Sequence, residues 1–167
     1  MNSSCELCKA PKAPKTCGEC GIAICKNCVR FLANDHMRFH PDPPPWSQKG
    51  IFCVECFERD VAPELERYDE VAARAENVKV VFDTYHGFIP CLKKAKETVR
   101  VEKNDLGKGI ALQRLKFLAA WQGFDAVIET KVEAEKVRNH GWETKSWSAS
   151  GIFVCLDHRR FRPPESD

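Results

Sequence analysis

The sequence predicts an α+β chain built in two parts. A small cysteine-rich module comes first, followed by a helix and an antiparallel sheet with one main packed helix. Three observations lead there. Eight of the ten cysteines fall between Cys5 and Cys56, all of them in CxxC pairs. A helical stripe of Leu65, Tyr68, Val71, Ala72 and Ala75 follows. Beyond it, alternating β-type runs surround a single strong helical pattern. A chain of 167 residues has room for two small domains. The expected division is 1–60 for the cysteine module, 61–77 for a linker helix, 78–160 for a β-β-α-β-β domain and 161–167 for a tail.

The cysteine pairs are Cys5/Cys8, Cys17/Cys20, Cys25/Cys28 and Cys53/Cys56. A two-residue gap lets both sulfurs of a pair turn toward one ion at about 2.3 Å, with turn N–H groups pointing back at the thiolates. The opening stretch MNSSCELCKAPK has no apolar core and no small-residue cleavage site, which predicts a cytoplasmic chain. No apolar run reaches the roughly 18 residues of a membrane span. A reducing compartment disfavours disulfides and favours metal-bound thiolates. Eight thiolates suffice for two closed tetrahedral sites, and two Zn²⁺ are the expected cofactors. A thioredoxin-like redox motif would need one CxxC between a strand and a helix rather than four in a loop-rich segment.

Sequential pairing would join the first pair with the second and the third with the fourth. Cross-brace pairing joins alternate pairs. Only Gly21-Ile22-Ala23-Ile24 separates the second pair from the third. That link suits a tight hairpin rung holding two ions apart. The expected sites are therefore Cys5, Cys8, Cys25, Cys28 and Cys17, Cys20, Cys53, Cys56.

The order CxxC–x8–CxxC–x4–CxxC–x24–CxxC resembles the two-zinc FYVE/PHD superfamily. CGECGIAICKNC is similar to the central FYVE stretch, and IFCVEC to its final pair. The resemblance covers about a third of the chain and implies a treble-clef, cross-brace fold with structural zinc. Lipid-binding FYVE domains carry an Arg/His cluster running into the third cysteine. Here KAPKAPKTC offers three lysines and two prolines but no arginine or histidine, which points away from a phosphoinositide ligand. Residues 1–60 hold eight Lys/Arg against seven Asp/Glu, and each loaded four-thiolate site adds a formal charge of about −2. Such a surface argues against nucleic acid.

Between the third and fourth pairs, Val29, Phe31 and Leu32 read as a short helical turn packed on the metal sites. His36 and His40 have the i, i+4 spacing of a helical metal pair, but eight cysteines already complete two sites. HPDPPPW reads as rigid and extended, with Trp46 either capping the small core or exposed for docking. Pro63 suits a first helical turn, and Asn77 the end of that helix. The helix would grow out of Cys56 and connect the domains stiffly.

In the second part, VKVVFDTY and ETVRVEK read as strands, the latter at an edge. Ala111, Leu115, Leu118, Ile110, Phe117 and Trp121 mark the main helix, with Gly123 at its stop. FDAVIETKVEAEKV alternates Phe124, Ala126, Ile128, Thr130, Val132 and Ala134 on one face against mostly charges. NHG reads as a turn and KSWSASGIFVCLD as the last strand. The segments GFDAV and SGIFV make this stretch similar to small bacterial domains described as heavy-metal-binding, often oligomeric through sheet edges. Cys91 reads as a surface thiol and Cys155 as a packing residue.

No GxSxG, P-loop, HExxH or GxGxxG pattern is present. The expectation is a non-enzymatic, zinc-binding protein-interaction adaptor. Its face would lie around Lys12, Phe31 and Trp46, with a homo-oligomer through the second domain. Two alternatives are a RING-like ubiquitin ligase module and a thiolate-based metal or redox sensor.

Overall fold

The computed structural model describes residues 4–104, 107–139 and 142–162. It divides into two compact units, Met1–Glu70 and Val71–Asp167.

In the first unit, β1 (Lys15–Thr16) pairs antiparallel with β2 (Ala23–Ile24), and β3 (Val29–Phe31) with β4 (Ile51–Cys53). These strands are two or three residues long, so each rests on the turns around it. The apolar core is correspondingly small: Ile24 and Val29 cluster with Cys17, Cys53 and Cys56, and Phe52, Val61, Leu32, Met37 and Trp46 are the larger buried side chains besides. Helix α1 (Val54–Cys56) runs through a π-turn, Phe57–Val61, into α2 (Ala62–Glu76). Ala62 N–H bonds to Phe57 O, five residues back. This wider turn lies just ahead of Pro63, whose ring would crowd the carbonyl four residues back in a regular helix. The helical run thus grows out of the last cysteine pair, as expected, and Pro63 lies in the first turn of α2, just after the π-turn. It ends at Glu76, where Asn77 N–H bonds Arg74 O.

Two expectations for the segment after Cys28 are corrected. Residues 29–31 form a strand, because Val29, Arg30 and Phe31 pair with Cys53, Phe52 and Ile51. Val29 and Leu32 are buried, whereas Phe31 is 64% exposed and packs on nothing central. Trp46 lies in a 3₁₀ turn, Pro45–Gln48, and meets Phe52 edge-on at 6.2 Å between ring centres. At 9% exposure it caps the core and is removed from the expected docking face.

The second unit holds β5 (Lys79–Phe82), β6 (Cys91–Asn104), α3 (Lys108–Trp121), β7 (Ala126–Asn139) and β8 (Trp142–Leu156). The sheet order is β5-β7-β8-β6, with α3 against β6, β7 and β8. The β-β-α-β-β order and the edge position of β6 agree with expectation. The sheet is mixed rather than antiparallel, because β5 runs parallel to β7. The connection from 83 to 90 is too long for a hairpin turn. It carries β6 to the far edge and leaves β5 to pair with β7. Helix α3 buries Ala111, Leu115, Phe117, Ala119 and Ala120. It stops where Gly123 N–H bonds Ala120 O.

The expected alternation of β7 breaks at Glu129. Ala126, Val127 and Ile128 are all buried, so both faces of the strand are covered there. Glu129 then takes a positive φ of 52°, and the register with β8 shifts between Ile128↔Ile152 and Lys131↔Ser150. Two residues of β7 face Gly151 alone, which is a β-bulge. Gly151 is required by contact: a methyl group there would run into the Val127 side chain. The expected NHG turn falls partly outside the described residues, as does most of the 161–167 tail.

Candidate metal centres

Two groups of four thiols converge in the first unit: Cys5, Cys8, Cys25 and Cys28, and Cys17, Cys20, Cys53 and Cys56. Within each group the sulfurs all lie within 4.8 Å of one another. The alternate pairs are brought together, and the two groups interleave along the chain. All eight are free thiols. Between pairs, the Cys8 and Cys25 sulfurs lie 3.5 Å apart and those of Cys20 and Cys53 3.9 Å. Those are not disulfide distances, which are about 2.05 Å. Four sulfurs each about 2.3 Å from one ion would lie about 3.8 Å apart in a tetrahedron. The spacing fits a tetrahedral thiolate-loving divalent ion.

Local backbone geometry explains why these residues converge. In the first knuckle, Cys5 N–H bonds Ala10 O at 2.8 Å and Lys9 N–H bonds Cys5 O at 2.8 Å. In the second, Gly21 N–H bonds Cys17 O at 3.0 Å. The residue after the second cysteine takes a positive φ in both, 61° at Lys9 and 76° at Gly21. That reversal lets the turn's N–H groups face its sulfurs. The β1–β2 hairpin then carries one knuckle into the next, with Cys17 N–H bonding Ile22 O at 2.9 Å. Glu6 ties the first knuckle to β2, since its N–H bonds Ala23 O and its carboxylate accepts from Ala23 N–H at 3.1 Å. Cys53 caps the last helix, accepting from Cys56 N–H at 3.3 Å, while Cys53 N–H donates to Cys17 Sγ at 3.3 Å. Val54 N–H bonds Cys28 O at 3.2 Å, linking the element of one centre to that of the other.

These contacts make the metal-free thiols chemically unequal. N–H groups of Cys8, Cys25 and Leu7 hold the Cys5 thiol down at about 6. At Cys17, burial pushes upward, but N–H bonds from Cys20, Cys53 and Glu19 bring it to about 6. The Asn27 N–H lowers Cys25. Cys28 is pushed up to about 12, first by its thiol contact with Cys8 and then by burial. Burial raises Cys53 and, with the Cys53 and Cys20 thiols, Cys56. Each group therefore mixes ready thiolates with proton-holding thiols. A bound cation displaces those protons. Beside the second centre, Arg59 Nη2 lies 3.9 Å from Cys56 Sγ, and the Lys49–Glu19 pair closes at 2.8 Å. The guanidinium offsets part of the formal −2 of a loaded centre.

His36 and His40 join neither group. Both rings pack on Tyr68, at 6.0 and 6.5 Å between centres, and Tyr68 Oη accepts from Phe39 N–H at 3.4 Å. His36 Nε2 also lies 3.3 Å from Asp69. Their i, i+4 spacing places two rings on one tyrosine. Cys91 is exposed, donating to Ile89 O at 3.5 Å, and the half-buried Cys155 donates to Gly123 O at 3.7 Å. A role not legible from spacing belongs to Asp125. It accepts from Leu156 N–H at 2.9 Å and pairs with His158 at 2.9 Å, fastening the end of β8. Lys12 lines a shallow apolar groove with Ala10, Pro11, Pro14 and Lys26. Among the described residues no helix is long and apolar enough to cross a membrane.

Comparison with protein-family models, curated proteins and solved structures finds no match to this chain.

Proposed function

We propose that the chain is a non-enzymatic, zinc-binding protein-interaction adaptor whose two four-cysteine centres are structural. The observation that carries this reading is the convergence of eight thiols into two tetrahedral-sized groups, knit by N–H···S bonds. Zinc accepts all-sulfur tetrahedral coordination and makes no redox demand. Cys5, Cys8, Cys25 and Cys28 would hold one ion, and Cys17, Cys20, Cys53 and Cys56 the other. Their chemistry would be cross-linking, because the first unit's core is too small to fold alone. A treble-clef, FYVE-like cross-brace agrees with the order of knuckle, hairpin and helix. The reading places the chain in the reducing cytoplasm, where thiolates persist.

The partner in this reading is another protein, met at the groove beside Lys12 and at exposed Phe31. A homo-oligomer through the second unit's sheet edge is part of the same proposal. Zinc-edge X-ray absorption on the purified chain tests the metal assignment: four sulfurs at about 2.3 Å are expected. Nitrogen or oxygen in the shell would overturn it. Substituting Phe31→Ser and Lys12→Glu tests the face, since recovery of the same bound proteins would remove it.

A second reading, a thiolate redox sensor, draws on the exposure of Cys8 and Cys20, one in each centre. Hydrogen peroxide would oxidise two zinc-bound thiolates to a disulfide, becoming water and freeing the ion. Dye-detected zinc release at low peroxide separates the readings, because purely structural centres retain their metal.

A further inference from the structure

The second unit carries a surface that its metal-independent fold does not explain. Four large apolar side chains are exposed among the described residues, and two of them lie four positions apart: Phe88 at 76% and Leu92 at 75%. The fold itself holds them out. In the connection from β5 to β6, Tyr85 and Ile89 pack on the sheet core with Val154, Leu156 and Phe161. Pro90 O accepts from Asp157 N–H at 2.9 Å, pinning this loop to the turn after β8. With Ile89 and Pro90 anchored, Phe88 points outward. Leu92 is exposed by a second bulge, since the register passes from Cys91↔Leu156 to Lys93↔Cys155 and leaves Leu92 without a partner. Bulges re-aim side chains in this way.

The segments that meet at the Pro90–Asp157 bond are rich in cations. Residues 85–94 and 157–162 contain five Lys/Arg and one Asp. The Arg160 guanidinium lies 5.9 Å from the Phe88 ring centre, so cation and ring share the tip. Arg159 and Arg162 flank Arg160 in sequence, while Lys93, next to Leu92, places its ammonium 4.9 Å over the Phe124 ring. The acids nearby are engaged: Glu129 with Lys94, Asp125 with His158, and Asp157 with the Arg159 N–H.

We propose that this corner, formed by Phe88, Leu92, Arg159, Arg160 and Arg162, seats the second unit on an anionic lipid bilayer surface. Two exposed apolar side chains on cation-rich segments, with Arg160 beside Phe88, match an interface with acyl chains below and negative headgroups around. Side chains standing out from a loop and a bulge favour that occupant over a folded protein, which needs a broad complementary patch. These residues belong to the second unit and include none of the eight metal-centre cysteines, so the inference stands whether or not those centres hold zinc.

The test is co-sedimentation of the full chain with phosphatidylcholine vesicles, with and without a phosphatidylserine component. Binding is expected only to the anionic vesicles and should weaken as salt rises. The double variant F88S/L92S should lose binding on the order of tenfold. R159E/R160E should lose it by at least as much. Circular dichroism checks that the variants fold, and Phe88→Ala and Leu92→Ala singly provide milder versions. Failure to sediment with anionic vesicles would overturn the proposal. So would equal binding by wild type and F88S/L92S. Retention on heparin that ignores Phe88 and Leu92, without vesicle binding, would reassign the corner to a soluble polyanion and overturn it as well.

Discussion

At the level of single residues, the two matched knuckles offer a controlled comparison. Lys9 and Gly21 occupy the same position after a CxxC pair, and both have positive φ. Only Gly takes that conformation freely. Gly21→Ala is expected to destabilise the first unit by about 1 kcal/mol through backbone strain, since no atom stands within 4 Å of the added methyl. Lys9→Gly should be neutral to stabilising by about 1 kcal/mol, offset by loss of the Lys9–Glu6 carbonyl bond. Denaturant titration of the metal-loaded protein reads both; equal signs would contradict the knuckle geometry. In the second unit, Gly151→Ala should cost about 1–3 kcal/mol because Val127 must move. The cysteine pairs were legible because a metal knuckle is local, four residues stating it, and their alternate grouping because the link Gly21-Ile22-Ala23-Ile24 is short. The role of Gly151 was not, because it depends on a bulge in another strand. Trp46 could not be assigned either, since its burial rests on Phe52, which approaches through strand pairing.

At the level of elements, legibility follows the range of the interaction. α2 and α3 appear where their helical stripes place them, because that period is written in consecutive residues. β3 was misread as a helical turn, since its partner β4 lies more than twenty positions away and three residues carry no period. β5 carries a strand signal, but nothing in it specifies a parallel partner beyond α3. The sequence also hid how β8 is held at its end. Asp125 supplies both an acceptor for Leu156 N–H and a partner for His158. Asp125→Ala should therefore destabilise the second unit by about 1–3 kcal/mol. His158→Ala, which removes only an exposed pair, should change stability by less than about 1 kcal/mol. Thermal unfolding of the two variants checks the order; a larger loss for His158→Ala would contradict it.

At the level of the whole molecule, the two units rest on different physics. The second has a four-stranded sheet with a packed helix and a core of buried apolar side chains. The first has strands of two or three residues and a small core, so in the proposed reading its fold depends on what the thiols bind. A strong chelator should unfold the first unit and leave the second folded, giving loss of amide dispersion for residues of the first unit alone in a two-dimensional NMR spectrum. Loss of both together would contradict this division of labour. Acidification should act in the same direction, because protons compete with the ion for thiolates.

The most direct test of the two-centre account is native mass spectrometry of the intact chain beside its Cys56→Ser variant. The account predicts two zinc ions in the wild-type chain, one in the variant, and no disulfide in either. A wild-type chain carrying one ion or none, or an iron cluster or oxidised thiols in their place, would contradict it.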